Sequence, residues 1–402
     1  MGLMPGAGGG QVAPPGTRLR QAERPCILCG HASCAAMNLI LGELRRNPLL
    51  WLLVAVPVTF FVEHSAPGAH TTLFVLSVLS IVPLASLLSH ATESVAARTG
   101  DAVGGLLNAT LGNLTELVIA LTALRAGMFD LVKASVAGAI VTNALFMLGV
   151  ALLLGGLRHH VQEFNRATAR LQAGMLFLAA VAMLVPSAIG SVERPGSEAF
   201  AQDLSIGLSI LLLAAYVLGL LFSLRTHREV FASAAHSGSD EDEHLWPAGV
   251  ASVLLIGITV VVALVSEIFV ESVQQAADAF GMTPAFVGFI VVAIVGAAAE
   301  MMAAFTAARK NRLDMSVGIA LGSSAQIALF IAPVLVLLSL FIAPAPMDLR
   351  FWPGAVVMVL VGTLAVVLVT NSGRSSWYVG VMLLVVYVTF AMTLYLMPPA
   401  TG

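Results

Sequence analysis

Apolar stretches of about 20 residues, the length that crosses some 30 Å of hydrocarbon, recur along the chain with short polar interruptions. They cover residues 71–91, 103–124, 131–157, 171–189, 204–224, 246–269, 284–308, 315–342, 351–370 and 376–397. A shorter stretch, 49–62, lies between Arg45-Arg46 and Glu63-His64. Each predicts a helix, because backbone N–H and C=O groups at bilayer depth must be satisfied within their own segment. The long polar gap at 225–245 leaves five long stretches on either side. With an odd number of crossings per half, the second half starts on the opposite side of the membrane from the first, as in an inverted repeat. The predicted organisation is an N-terminal tail (1–46, disordered), a first helix (47–64), a five-helix repeat (71–224), an acidic cytoplasmic linker (225–245) and a second five-helix repeat (246–397). The expected fold is an all-α polytopic membrane protein with eleven transmembrane helices.

Charge supports counting 49–62 as a span. With a cytoplasmic N-terminus and eleven crossings, fifteen of the nineteen Lys and Arg residues fall in cytoplasmic segments. Treating 49–62 as a loop moves the five tail arginines outside and leaves ten against nine, which removes the expected positive-inside bias.

The two halves also share letters at one offset. Gly104 and Gly288, Gly112 and Gly296, Glu116 and Glu300, Gly138 and Gly322, and Phe146 and Phe330 are each separated by 184 residues (300 − 116 for the glutamates). Helices rich in Gly and Ala produce chance matches, so the charged pair carries the comparison. A carboxylate in an apolar span costs roughly 2.5–3.5 kcal/mol even on lenient insertion scales and is by default functional.

Composition agrees with the pattern: 58% of residues are hydrophobic and 10% charged, against about 25% charged in soluble domains. The net charge of −3 and the lack of a Lys/Arg-rich run speak against nucleic-acid binding. The bilayer is the expected partner. Cys26, Cys29 and Cys34 all lie in the tail, so no disulfide framework organises the fold. With His31 they gather four zinc-type ligands, but at spacings unlike the usual sites, and a Gly/Pro-rich disordered tail is the plainer reading. Met37 is an alternative start. No secretory signal is evident, which suits a prokaryotic plasma membrane, with a vacuolar membrane as the other expectation.

In an inverted repeat, equivalent positions meet near the midplane, where transporters of this construction bind substrate. Glu116 and Glu300 would then share one low-dielectric site. Two carboxylates there repel and titrate as a unit, so divalent-cation entry and proton binding become competing ways to neutralise the same pair. Hard cations such as calcium take six to eight oxygens. Asn113, Ser135, Thr142, Asn143, Ser323, Ser324 and Gln326 are the candidate supporting donors. Gly112, Gly296, Gly138 and Gly322 are places where a helix can unwind and offer carbonyls. Ser135 and Thr142 have an equally good packing reading, bonded to their own helix; Asn143 and Gln326 are costlier to hide in lipid. Glu93 and Glu267, near span ends, read as interfacial. The run Asp240-Glu241-Asp242-Glu243 reads as solvated linker, because four consecutive acids are not a spaced calcium loop.

The segments Gly104-Gly105-Leu106-Leu107-Asn108-Ala109-Thr110-Leu111-Gly112-Asn113-Leu114-Thr115-Glu116-Leu117 and Gly318-Ile319-Ala320-Leu321-Gly322-Ser323-Ser324-Ala325-Gln326-Ile327-Ala328-Leu329-Phe330 resemble the signature segments of calcium/proton exchangers (CAX-type) within the cation/calcium exchanger superfamily. The resemblance runs from about residue 48 to the C-terminus. It implies a regulatory first helix, two five-helix repeats, an acidic cytoplasmic linker, and Glu116 and Glu300 as the ion-binding, proton-exchanging carboxylates. Similar proteins carry Asn and His where this chain has Ala297 and Met301. The expected activity is antiport of a divalent cation, calcium first, against protons, with calcium and protons as substrates and no resident cofactor. A sodium-coupled calcium exchanger is the nearest alternative, and a passive cation channel lies in a different class. An intramembrane hydrolase is disfavoured, since neither His-Glu-x-x-His nor Gly-x-Ser-x-Gly occurs.

Overall fold

The computed structural model describes residues 48–99, 101–189, 197–226 and 245–397. The tail with its three cysteines, the acidic run Asp240–Glu243 and the last residues of the chain fall outside them. Among the described residues the chain is helical almost throughout. After a 3₁₀ stretch, Pro48–Val54, come α1 (Ala55–Ser65), α2 (His70–Ala96), α3 (Asp101–Leu111), α4 (Leu114–Arg125), α5 (Phe129–His159), α6 (Arg166–Ile189) and α7 (Ser197–Leu221). The second half supplies α8 (Ala248–Phe280), α9 (Pro284–Gly296), α10 (Ala298–Arg309), α11 (Leu313–Ile342), α12 (Pro353–Thr370) and α13 (Trp377–Leu396). Eight of these are long and apolar enough to cross a membrane, and two bent pairs meet the same test when each is taken together: α3–α4, bent by 44°, and α9–α10, bent by 59°. The segment Leu49–Ser65 is apolar but shorter. The protein is a polytopic helical membrane protein.

Apolar length located most of the long helices to within about five residues; the helix expected at 204–224 begins at Ser197, and one other departure is larger. The stretch 246–269 continues as helix to Phe280 and stops at Gly281 with φ +65. In that extension Val270, Val273, Ala276 and Ala277 are buried while Glu271, Gln274, Gln275 and Asp278 are exposed, so an amphipathic stripe replaces all-round hydrophobicity. Glu267 therefore lies well inside a helix rather than near its end, on an exposed face.

Both bent spans break at a glycine, Gly112 in one and Gly296 in the other. α3 ends at Leu111 and α4 begins at Leu114; α9 ends at Gly296 and α10 begins at Ala298. The second starting point is 184 residues after the first (298 − 114), and α10 ends 184 residues after α4 (309 − 125). Glu116 and Glu300 each stand in the first turn after a break, where free N–H groups favour negative charge. Gly138 and Gly322, by contrast, lie inside unbroken helix, so the expectation that they too unwind does not hold. The π-helical turns Thr142–Met147 in α5, Ile327–Ile331 in α11 and Val287–Val292 in α9 carry the local irregularity instead. Such turns recur at functional sites.

α5 and α11 are the most enclosed long spans with α2, whereas α7 and α13 lie at the periphery. α8 lies along α2, α9 crosses α5, α12 packs on α6 and α13 on α5. On one face two short strands clasp the loops together. β1 (Val161–Glu163) pairs antiparallel with β2 (Arg374–Ser376), with Gln162 opposite Ser375. Gln162 Nε2 also donates to the Ala308 carbonyl (3.0 Å) and to Asn311 Oδ1 (2.9 Å), tying the loop after α5 to those after α10 and α12. Three-residue strands carry no readable alternation, so this clasp was invisible in the hydropathy pattern.

A second tie lies in the loop before α12. Lys133 near the start of α5 pairs with Asp348 Oδ1, and Arg350 pairs with Asp348 Oδ2. Burial works against the charged form of Asp348, but hydrogen bonds and charge from Lys133 and Arg350 outweigh it and hold the carboxyl below the usual aspartate range. A depressed value means stability that is present above the unfolded-state value near 4 and lost as pH falls through the folded one. Asp348→Asn should therefore lower thermal stability in detergent at pH 7 by about 1–3 kcal/mol, with the gap to wild type closing below about pH 4.

Candidate functional site

Glu116 and Glu300 come together. The Glu116 side chain lies against the break of the opposite half: a Cβ placed on Gly296 would stand 2.9 Å from Glu116 Cγ and 3.3 Å from Cδ. The two carboxylates line one small cavity between the breaks. Oε1 of Glu116 and Oε2 of Glu300 are fully inaccessible and have no hydrogen-bond partner. A buried anionic oxygen without a donor is expensive, so these two oxygens point to a ligand or proton.

Three cavities string along the pair. An open one of about 510 Å³ reaches inward past Glu93, Asn108, Gln172 and Tyr216 to Gly112, Ser323, Gln326 and Glu300. A second, of about 10 Å³, is lined by Gly112, Glu116, Gly296 and Glu300 together. That is about room for one water-sized particle. A third, of about 20 Å³, lies on the far side of Glu116 beside Ser135, Val292 and Ile331. The route is thus wide on one side of the glutamates and closed by apolar side chains on the other.

The supporting residues divide into groups. Ser323 Oγ donates to Asn113 Oδ1 (2.6 Å), accepts from Asn143 Nδ2 (2.8 Å) and also interacts with Glu300. This network joins the first break to α5 and α11, and it leaves Asn113 Nδ2 and Asn143 Oδ1 buried without partners. Gln326 borders the large cavity with Nε2 unpartnered, and a Cβ on Gly112 would lie 3.6 Å from its Oε1. Ser135 borders the Glu116 side but donates to its own helix at Val132 O (2.8 Å). Two residues take packing roles. Ser324 Oγ bonds Ala320 O (2.8 Å) and reaches Ile140 O (3.2 Å), where α5 and α11 cross. Thr142 shares a hydrogen bond with Tyr387 of α13 (3.2 Å) and lines none of the three cavities.

Sequence reasoning missed two groups. Glu93, read as interfacial, borders the large cavity and accepts from Ser89 Oγ (3.2 Å). The signal was available, since Ser89 and Glu93 are one turn apart and Glu93 is the one carboxylate of that helix. Gln172 of α6 borders the same cavity with Oε1 buried and unpartnered, in a segment where no repeated motif marks it. Among the described residues no cluster of three or more His, Cys, Asp or Glu has metal-binding geometry; any cation would depend on the two carboxylates with neutral oxygens.

A polytopic protein with two broken helices meeting around a carboxylate pair has the construction of a secondary transporter. The chain belongs to the sodium/calcium exchanger protein family, which matches residues 69–225 and 250–396. It is 38% identical over 371 residues to a Ca(2+)/H(+) antiporter of Aphanothece halophytica, covering 88% of this chain and 98% of that one. It is 39% identical over 355 residues to the Ca(2+)/H(+) antiporter ChaA of Bacillus subtilis strain 168, covering 87% of this chain and all of that one. Among solved structures, native YfkE superposes with a TM-score of 0.75 at 35% identity, over 87% of this chain and 100% of that one.

Proposed function

We propose that the protein is a secondary antiporter that exchanges calcium for protons by alternating access, with Glu116 and Glu300 as the shared ion- and proton-binding pair. The observation that carries this reading is the pair of unpartnered, inaccessible carboxylate oxygens around one small cavity. When the cation leaves, the repulsion of two carboxylates in a low-dielectric site is relieved by protons, so one pair serves both substrates in turn. Asn113, Ser323, Gln326 and Asn143 supply neutral oxygens, and the Gly112 and Gly296 breaks supply backbone. Names of relatives from two bacteria support the substrates.

The finer architecture belongs to the same proposal. Eleven spans, counting Leu49–Ser65, with α2–α7 and α8–α13 as inverted repeats and the N-terminus in the cytoplasm, put the 510 Å³ cavity on the cytoplasmic side. The conformation is then inward-facing. The bacterial relatives favour a prokaryotic plasma membrane.

Calcium uptake into everted vesicles should follow an imposed proton gradient, collapse with a proton ionophore and persist without sodium. Uptake that ignores the ionophore and requires sodium would sink the proposal. Within it, Ser323→Ala should raise the apparent KM for calcium about ten- to thirtyfold, because it removes the buried hydrogen bonds to both Asn113 and Asn143 at about 1 kcal/mol each, with the maximal rate changed less. Initial rates of labelled calcium uptake over a concentration series provide the check.

A further inference from the structure

The peripheral helices α7 and α13 each send one tyrosine inward, and the two are arranged alike. Tyr216 of α7 stacks on Phe330 in the π-turn of α11, with centroids 5.5 Å apart and planes at 30°. Tyr387 of α13 packs on Phe146 in the π-turn of α5, at 5.1 Å and 39°. Phe146 and Phe330 are one of the pairs at the 184-residue offset. Each half thus sends a buried tyrosine from its last helix onto the phenylalanine of the other half.

The hydroxyls differ. Tyr387 bonds Thr142, away from the glutamates. Tyr216 donates to the carbonyl of Ala109 (2.5 Å), and Tyr216 also borders the cavity that leads to Glu300. In an uninterrupted helix the Ala109 carbonyl would accept from the N–H of Asn113, the residue at the break between α3 and α4. Around that break the recorded backbone bonds are Gly112 N to Asn108 O (2.9 Å) and Leu117 N to Asn113 O (3.1 Å). At the other break the corresponding bond is kept, from Ala297 N to Ala293 O (3.2 Å). A freed carbonyl beside a membrane-embedded site needs another donor, and Tyr216 is that donor.

We infer that Tyr216 is a positioning residue for the Glu116 half of the site: its hydroxyl caps the Ala109 carbonyl opened by the break, and its ring ties that break to α11 of the opposite half through Phe330. The direction of the Asn113 side chain and of the first turn of α4, which carries Glu116, follows from how this break is held. Asn113 is in turn the acceptor of Ser323, so Tyr216 and Ser323 hold the two sides of one backbone irregularity. The inference rests on the proposed antiport for its transport readout but not for its binding readout.

Tyr216→Phe keeps the ring and removes the cap, and Tyr387→Phe makes the same chemical change at the matching position. In everted vesicles with a proton gradient, Tyr216→Phe should raise the apparent KM for calcium about three- to tenfold, on the scale of one buried hydrogen bond. Its maximal rate should stay within about twofold, and Tyr387→Phe should keep the wild-type KM. Calorimetric titration of the purified proteins with calcium chloride should show the same split in Kd, with the thermal transitions of the two variants lowered alike. Wild-type KM and Kd in Tyr216→Phe, or equal shifts in both variants, would overturn the inference. Failure of wild-type vesicles to exchange calcium for protons would instead count against the proposed antiport, and the titration would still decide the role of Tyr216.

Discussion

Calcium uptake driven by a proton gradient should fall to background in Glu116→Gln and in Glu300→Gln, with both variants remaining folded. The substitution preserves shape and removes the charge and the exchangeable proton. One glutamine leaves a single negative charge opposite a doubly charged cation, and calcium affinity depends steeply on ligand charge count, so a loss of about 100-fold or more is expected. The remaining carboxylate no longer has a neighbour to repel it, so the link between cation release and proton uptake is also lost. Folding is not at risk, because a neutral amide costs less than a carboxylate at Oε1 of Glu116 and Oε2 of Glu300, the buried atoms without partners. The two variants should behave alike despite the asymmetry around them. Glu116 has Asn113 one turn before it, but the matching position near Glu300 is Ala297, fully buried and without a polar group. Labelled-calcium flux in everted vesicles, with expression and thermal melting as controls, checks the result; transport at a tenth of wild type or more in either variant would remove the carboxylate pair from the mechanism.

The parts of this site that were legible in the sequence are those that cost energy in a membrane. A carboxylate repeated at one offset in two apolar spans stands out because lipid does not tolerate the charge without a reason, and Glu116 and Glu300 line one cavity while Ser323 and Asn113 are hydrogen-bonded beside them. Hydropathy likewise located the long helices, since their limits follow from the thickness of hydrocarbon. It did not show the breaks themselves: 103–124 and 284–308 read as single spans because the apolar run continues through them, and only backbone hydrogen bonds distinguish a bend from a straight helix. Thr142 and Ser324 illustrate the reverse error. Both are polar and near the motif, but a hydroxyl is easily satisfied by a neighbouring phenol or carbonyl, so its presence alone does not mean a site. Tyr216 was hidden because a lone tyrosine in an apolar helix looks like core or interface, and its partner is a backbone carbonyl that has no letter of its own.

Gly138→Ala should lower thermal stability and yield, whereas Gly318→Ala should be tolerated. The two glycines look equivalent in the sequence, both small residues in signature helices, but their surroundings differ. A Cβ at Gly138 would fall 2.2 Å from the carbonyl oxygen of Phe289, 2.4 Å from its Cα and 2.6 Å from its carbonyl carbon. All three are backbone atoms of a fully buried residue in the π-turn of α9, so no rotamer change can clear them. One of the two helices must move outward, and either movement opens the crossing of α5 and α9. That crossing is close from both sides, since a Cβ on Gly288 would stand 2.6 Å from the Cβ of Ala134. Without a strong hydrophobic drive between helices in lipid, this kind of close backbone approach is itself a main source of association. Overpacking a tight core typically costs about 1–3 kcal/mol and more where backbone must shift, so the thermal transition of Gly138→Ala in detergent should drop well below wild type and its yield should fall. Gly318 has nothing within 4 Å of a Cβ, and the alanine there gains helix propensity. Gly322, the repeat partner of Gly138, meets only the amide of Gln172 at 3.3 Å, a flexible side-chain end that can yield. Gly322→Ala should therefore fold and alter transport through the Gln172 wall of the cavity, and equal melting of the Gly138 and Gly322 variants would show that the α5–α9 crossing is looser than these distances require.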